Sequence, residues 1–216
     1  MGKVAIHGFG RIGRSLMKAA LKNGLFVPAS VSDIKDVPTL AALFEVDTNY
    51  GRWHEEVRGT AKGFVIGGRE VPYFDARQEL PDWKALGVDL VIDCTGRATT
   101  RAGAQAHLDR GARRVLVSAP SKTREDADVF LLPGINLGDF DPGRHRIVSM
   151  ASCTTNALAP VVKVVHERFG VQMGFFSTVH AYTNTQSLTE NEPESPSASA
   201  GGCMALSPCQ IGRAHV

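Results

Sequence analysis

The chain has 216 residues, of which 43% are hydrophobic and 21% are charged, a composition typical of globular proteins. Its formal net charge of +2 gives no reason to expect a nucleic-acid partner. No apolar run approaches the ~20 residues that span a bilayer, so we expect no membrane partner either. The cysteines Cys94, Cys153, Cys203 and Cys209 fit neither a disulfide framework nor a metal-ligand spacing. We therefore expect a cytoplasmic protein with reduced thiols and no metal.

Strand and helix patterns alternate along the chain up to about residue 190. Apolar runs predict strands at KVAIHG, FVPASVSD, VDLVIDCTG, RRVLVSAP, DVFLLPG and HRIVSMAS, and VIGGREVPYF predicts a hairpin that turns at Gly67–Gly68. Helices are predicted at RIGRSLMKAALKNG, DVPTLAALFEVDT and TTRAGAQAHLDRGA. In the first helix we expect Ile12, Leu16, Ala19 and Ala20 to share the buried face. The alternation predicts an α/β fold, with a doubly wound, mainly parallel sheet and helices on both faces.

A glycine motif, GFGRIG at residues 8–13, links the first predicted strand to the first predicted helix. In this context Gly8 permits a tight turn, Gly10 lets a pyrophosphate approach the backbone, and Gly13 lets the helix pack closely on the strand. The helix N-terminus offers N–H groups and partial positive charge, and Arg11 and Ile12 are expected to direct backbone donors at the ligand. The motif therefore predicts a Rossmann-type dinucleotide site.

An acidic residue, Asp33, ends the second predicted strand, 20 positions after Gly13. A carboxylate there is expected to bind the adenosine ribose hydroxyls and to disfavour a 2′-phosphate, so NAD is expected rather than NADP. Lys35 would soften that preference. The alternative for Asp33 is a turn residue that closes the strand.

Cys153 lies in ASCTTNALAP, where a helix is predicted to begin. With Ser152 as N-cap, accepting from the N–H of Thr154 or Thr155, the helix dipole would stabilise a thiolate at Cys153. His180, near the end of the predicted strand QMGFFSTVHAY, is a candidate partner base. The alternatives are a buried, inert cysteine and a structural histidine.

Other cysteines and histidines carry less weight. Cys94 falls inside an apolar strand and is expected to be inert core. His54, His107, His145, His166 and His215 fall in charged or helix-surface contexts.

Several stretches resemble the phosphorylating glyceraldehyde-3-phosphate dehydrogenase family: KVAIHGFGRIGR, CTG, GARRVLVSAPSK, SMASCTTNALAPVVKVVHERFG and TVHAYTNTQ. The resemblance extends from Lys3 to about Thr189. It implies glycolytic oxidation of D-glyceraldehyde 3-phosphate to 1,3-bisphosphoglycerate with NAD and inorganic phosphate, in a homotetramer. Two alternatives stay open: the related erythrose-4-phosphate dehydrogenase, and a dinucleotide-binding module without redox catalysis.

The resemblance also implies residue roles. Cys153 would attack the aldehyde and His180 would act as its base. The residues implied to bind phosphate groups are Ser152, Thr154 and Thr183. The residues implied to line the cofactor, besides the glycine motif and Asp33, are Thr95, Gly96 and Ser118.

The domain organisation follows from these patterns. We predict a dinucleotide-binding domain at 1–151, the start of an α+β catalytic domain at 152–190, and an irregular tail at 191–216. A flexible tail is one interpretation of the last segment. We expect instead a non-native sequence there, since QIGRAHV can be back-translated to a common sequencing adapter.

Departures from the family pattern lead to further expectations. His7 and Ser32 each stand where the family usually has Asn. The family's second domain continues past residue 190 with an Arg for phosphate and an Asn for the nicotinamide, and neither is recognisable here. We therefore expect this chain to have little dehydrogenase activity. We also expect exposed apolar surface on the helix that begins near Cys153 and on QMGFFSTVHAY.

Overall fold

A computed structural model describes residues 2–77 and 79–181 of the chain. The chain divides into two units between Cys153 and Thr154. The boundary between a dinucleotide-binding domain at 1–151 and a catalytic domain that starts at 152 stays a prediction. The predictions for Thr183 and for the tail at 191–216 lie outside the described residues.

The first unit contains the strands and all but one of the described helices. The strands are β1 Lys3–His7, β2 Ser30–Asp33, β3 Val46–Asp47, β4 Gly51–Arg52, β5 Val57–Thr60, β6 Gly63–Ile66, β7 Arg69–Asp75, β8 Val88–Asp93, β9 Arg114–Val117, β10 Val129–Phe130 and β11 Ile147–Ser149. The helices are α1 Arg11–Lys22, α2 Val37–Glu45, α3 Trp83–Leu86, α4 Arg101–Asp109 and, starting at the boundary, α5 Cys153–Phe169.

Nine of the strands form one sheet in the order β10-β11-β9-β8-β1-β2-β7-β6-β5. Neighbours from β10 to β7 are parallel, and β6 and β5 extend the sheet by antiparallel pairing. Gly67 and Gly68 have φ values of 53° and 78° at the predicted hairpin turn between β6 and β7. The prediction of a doubly wound, mainly parallel sheet is confirmed.

Helix α1 buries only part of the face predicted for it: Ala20 is buried and Leu16 packs against the core, but Ala19 and Ile12 are exposed. Its buried residues are Gly13, Met17 and Ala20, while Ile12 is 55% exposed. The prediction followed hydrophobicity, but a steric requirement decides the orientation. A Cβ on Gly13 would lie 2.1 Å from the Gly8 carbonyl oxygen, so the helix turns its glycine towards β1.

Among the described residues, three apolar clusters pack against the sheet, and two of them hold it between its helices. One includes Ile6, Phe9, Met17, Leu40 and Phe44, from β1, α1, α2 and the glycine loop. The other includes residues of α4, β9 and β11. Because both clusters anchor strands that neighbour one another at the centre of the sheet, the carboxyl ends of β1, β2, β8 and β9 are fixed along one edge.

The described part of the second unit consists of most of α5 and an irregular segment. The strand predicted at QMGFFSTVHAY is wrong: residues 171–179 form no strand. A strand needs hydrogen bonds from a neighbouring strand, and residues 154–181 contain none. Val161, Val164, Met173 and Phe175 are exposed, as expected. In the described part of the chain, no helix combines the length and apolar character needed to cross a bilayer.

Candidate dinucleotide site and candidate nucleophile

The glycine loop joins β1 to α1, and two of its glycines are required by close contacts. Gly8 has φ of +87°, and a Cβ there would lie 2.7 Å from the Thr95 backbone nitrogen. Gly13 meets the Gly8 carbonyl, as described above. By contrast, nothing lies within 4 Å of a Cβ built on Gly10. The loop therefore leaves open the position where the motif predicts a pyrophosphate.

The N-terminus of α1 has donors for an anion. Gly10 is the N-cap and supplies no side-chain cap, and the first intrahelical bond runs from the Arg14 N–H to the Gly10 carbonyl. The N–H groups of Arg11 and Ile12 precede that bond, so they have no intrahelical acceptor. Free N–H groups at a helix N-terminus are a known arrangement for binding phosphate.

The Arg11 side chain has another partner. Its guanidinium donates to the Asp47 carboxylate, with the shortest N–O distance 2.9 Å. Backbone N–H groups of Asn49 and Tyr50 also donate to Asp47, and together with Arg11 they lower the pKa of Asp47 to about 2. The guanidinium of Arg11 is thus paired with Asp47. The prediction that Arg11 binds the ligand concerns its backbone N–H alone.

Asp33 ends β2 beside the glycine loop. Its Oδ2 accepts from the Phe9 N–H at 2.5 Å, and its Oδ1 accepts from the N–H groups of Ile34 and Lys35 at 2.8 and 3.0 Å. The carboxylate thus ties the loop to the end of β2 while it stays partly exposed. The spacing of the motif does not predict this second role of Asp33, which is to hold the glycine loop.

The sheet reverses its strand order at β1, which lies between β2 and β8. A doubly wound sheet binds its ligand outside the carboxyl ends of the strands at such a point. Thr95 and Gly96 follow β8 there, and Ser118 follows β9, with its N–H donating to the Asp93 carbonyl. The structure therefore brings these three predicted residues to the same edge as the glycine loop.

Cys94 is buried at this edge and is unsuited to be a nucleophile. Burial raises the pKa of its thiol to about 12, despite a hydrogen bond with Ser118. The expectation of an inert core cysteine agrees with this environment.

A buried polar cluster lies beneath the site, and our sequence analysis did not predict it. His7, Asp93 and His107 are each 9% exposed or less, and their candidate ligand atoms lie within 4.8 Å of one another. The expectation that His107 lies in a helix-surface context is wrong, because α4 buries His107 with Ala104 and Leu108. The i, i+3, i+4 spacing of these residues was the available signal.

The candidate nucleophile lies at the boundary of the two units. Cys153 is the first residue of α5, which has 17 residues, and it is exposed. His180 belongs to the second unit and is partly buried, with Nδ1 2.6 Å from the Ala181 carbonyl oxygen. The pairing of Cys153 with His180, and the phosphate-binding roles of Ser152 and Thr154, stay predictions.

Comparison with known families decides the classification. A family model described as the NAD binding domain of glyceraldehyde 3-phosphate dehydrogenase matches residues 2–101, and the model of the C-terminal domain of the same enzyme matches residues 152–215. The chain belongs to the glyceraldehyde-3-phosphate dehydrogenase family. The NAD-binding match contains the glycine loop, Asp33, Thr95 and Gly96, and NAD is the cofactor. The roles of these residues in binding it stay predictions.

Curated glyceraldehyde-3-phosphate dehydrogenases are similar over most of the chain. The protein from Geobacillus stearothermophilus is 43% identical over 189 residues, which is 87% of this chain and 56% of the relative. The protein from Kitasatospora aureofaciens is 42% identical over 217 aligned residues, 99% of this chain and 64% of the relative. The protein from Chlamydia pneumoniae is 41% identical over 205 residues, 94% of this chain and 60% of the relative. The chain thus spans about three fifths of the length of these relatives.

Proposed function

We propose that this chain carries the NAD-binding and nucleophilic parts of a phosphorylating glyceraldehyde-3-phosphate dehydrogenase. The reaction converts D-glyceraldehyde 3-phosphate and inorganic phosphate to 1,3-bisphosphoglycerate, with NAD as oxidant. The observation that carries the proposal is an exposed thiol at the first residue of a long helix, within a chain whose sheet edge fits a dinucleotide.

The chemistry begins at Cys153. The helix N-terminus lowers the free energy of a thiolate relative to the thiol, which favours the nucleophilic form. The thiolate attacks the aldehyde carbon and forms a thiohemiacetal. His180 takes the hydroxyl proton as that carbon is oxidised to a thioester, and general-base help of this kind is worth roughly 10²–10⁴-fold. Inorganic phosphate then displaces the Cys153 thiolate and leaves as an acyl phosphate.

The two phosphate groups need donors close to Cys153. We assign this task to the hydroxyls of Ser152, Thr154 and Thr183, since short hydroxyl side chains donate to an anion without crowding it. Their positions beside the nucleophile and near His180 in the sequence support the assignment.

The cofactor is assigned to the sheet edge. NAD supplies the hydride acceptor when it is bound. The open face of Gly10 and the N–H groups of Arg11 and Ile12 take the pyrophosphate, and Asp33 accepts from the ribose hydroxyls. Thr95, Gly96 and Ser118 line the remaining part of the pocket. The carboxylate of Asp33 favours NAD over NADP.

The wider assignments rest on the family resemblance. They are a glycolytic role, a cytoplasmic location and a homotetramer for the full-length enzyme. Sedimentation equilibrium of the full-length enzyme tests the assembly, with a mass of four subunits expected and a monomer mass contradicting it.

The test is substrate-protected alkylation of Cys153 in the full-length enzyme, read by peptide mass spectrometry. We expect NAD and glyceraldehyde 3-phosphate together to slow alkylation of Cys153, because the acylated sulphur no longer reacts. Unchanged alkylation in the presence of both would support a dinucleotide-binding module without catalysis. Stronger protection by erythrose 4-phosphate than by glyceraldehyde 3-phosphate would favour the related dehydrogenase instead.

A further inference from the structure

The buried cluster beneath the dinucleotide site has a defined direction of hydrogen bonding. The Trp83 indole N–H donates to Nδ1 of His107 at 3.2 Å, and an indole nitrogen cannot accept. Nδ1 of His107 is therefore an acceptor and carries no proton. Nε2 must then carry the proton and donates to Oδ2 of Asp93 at 3.1 Å. His107 is a neutral imidazole held in one tautomer between a donor and a carboxylate.

The protonation of His107 at Nε2 disfavours a metal ion in the cluster. A metal bound at Nε2 of a neutral His107 would require the proton to move to Nδ1. That proton would face the Trp83 N–H at the same short distance, which leaves two donors opposed in a buried place. His7 is also engaged, with Nδ1 2.7 Å from the Ser32 hydroxyl oxygen. The cluster is thus a hydrogen-bonded support.

The support continues to the cofactor edge through Asp93. Oδ1 of Asp93 accepts from the Thr95 backbone N–H at 2.9 Å and from the Thr95 hydroxyl at 2.6 Å. The Thr95 hydroxyl oxygen in turn accepts from the Arg97 N–H at 3.0 Å. A continuous chain of hydrogen bonds therefore runs from the buried indole to the segment 95–97.

The segment at the end of this chain has little freedom to move without disturbing the site. Gly96 has φ of +72°, which lies in the left-handed region. Thr95 closely abuts Gly8, since its backbone nitrogen would be 2.7 Å from a Cβ there. A shift of the Asp93 carboxylate would therefore move Thr95 against the glycine loop.

We propose that His107 is a positioning residue for NAD: its Nε2–H fixes the Asp93 carboxylate, which holds the segment 95–97 in the conformation that binds the cofactor. The inference rests on the proposed NAD site at this sheet edge. It assigns His107 a role without contact to the cofactor, since His107 is 2% exposed beneath the site.

Three variants of the whole chain test this role. His107→Leu removes both hydrogen bonds, whereas His107→Gln offers a donor and an acceptor separated by one carbon, as in imidazole. Leu108→Ala is the matched control, because Leu108 is buried on the same helix and packs in the cluster with Val115 and Val117. NAD affinity is measured by calorimetry, and exchange of the Thr95 amide hydrogen is measured by NMR without NAD.

We expect His107→Leu to weaken NAD binding roughly tenfold, the consequence of losing one hydrogen bond to a charged group, and to speed exchange of the Thr95 amide. His107→Gln restores both towards wild type. Leu108→Ala lowers the unfolding midpoint but leaves NAD affinity unchanged. Equal NAD affinity in wild type and His107→Leu would overturn the inference.

Two measurements distinguish a failure of this inference from a failure of the proposed function. A wild-type chain that binds no NAD contradicts the proposed cofactor site, while Thr95 exchange still decides whether His107 holds the segment. The ¹⁵N shifts of His107 in the wild type need no variant, and a protonated Nδ1 there would overturn the inference directly.

Discussion

His7 makes the stability of the first unit depend on pH, and the expected size follows from its surroundings. Burial lowers the pKa of His7 from 6.5 to about 4, although the Asp93 and Asp33 carboxylates oppose the shift. The neutral form of His7 is thus the one that fits the fold. Between these two pKa values the unfolded chain binds a proton that the folded chain does not, so unfolding becomes easier as pH falls.

The magnitude follows from the two pKa values. Lowering the pH from about 7.5 to about 5.5 should reduce the free energy of unfolding by about 1.3 kcal/mol through His7 alone. At about pH 4.5 the loss should reach about 2.5 kcal/mol. Asp93 affects the free energy of unfolding in a different pH range. Burial raises its pKa, but hydrogen bonds from His107 and Thr95 outweigh burial and hold the pKa below 3.8, so its contribution is lost only at lower pH.

Urea unfolding followed by tryptophan fluorescence measures this effect. Trp53 and Trp83 are the only tryptophans of the chain, and both belong to the first unit. The control is His7→Asn, which keeps a polar side chain opposite Ser32 but does not titrate. The difference between wild type and His7→Asn isolates His7 from the other histidines. An equal pH dependence in both proteins would refute the reasoning.

Three further predictions concern the site. Gly10→Ala should leave stability nearly unchanged but weaken NAD binding roughly tenfold or more, because its Cβ enters the open face of the loop; Gly13→Ala should cost about 1–3 kcal/mol of stability through overpacking. Calorimetry and urea unfolding separate the two, and equal behaviour of the variants would contradict the assignment. Iodoacetamide near pH 8 should modify exposed Cys153 and spare buried Cys94, whose pKa is about 12; peptide mass spectrometry showing faster modification of Cys94 would count against it. Asp33→Asn should shift the ratio of NADP to NAD affinity upward roughly tenfold, since the charge that repels a 2′-phosphate is gone; an unchanged ratio would remove Asp33 from cofactor choice.

The parts of the fold that were predictable are those with strong local signals. The glycine motif, the hairpin turn at Gly67–Gly68 and the alternation of strands and helices each depend on a few neighbouring residues. Local chemistry also fixes α2, where Asp36 caps the helix by accepting from the Thr39 N–H. These signals were sufficient to place the carboxyl ends of β1, β2 and β8 at one edge.

The predictions that were wrong concern features that depend on contacts between residues distant in the sequence. The orientation of α1 depends on the approach of Gly13 to Gly8, which no hydrophobic pattern reveals. The helix pattern of Ala104, His107 and Leu108 was a signal for burial, but it does not reveal the donor and the carboxylate from two other elements that His107 needs as partners. The strand predicted at QMGFFSTVHAY required a neighbouring strand, which the local sequence cannot supply.

The role of Cys153 is tested most directly by trapping its acyl form. The full-length enzyme is mixed with NAD and glyceraldehyde 3-phosphate in the absence of inorganic phosphate, quenched in acid, and digested for mass spectrometry, with Cys153→Ser as control. We predict a phosphoglyceryl thioester on the Cys153 peptide, formed together with NADH and absent from the control. An unmodified Cys153 in a chain that binds NAD would contradict the assignment of this thiol as the nucleophile.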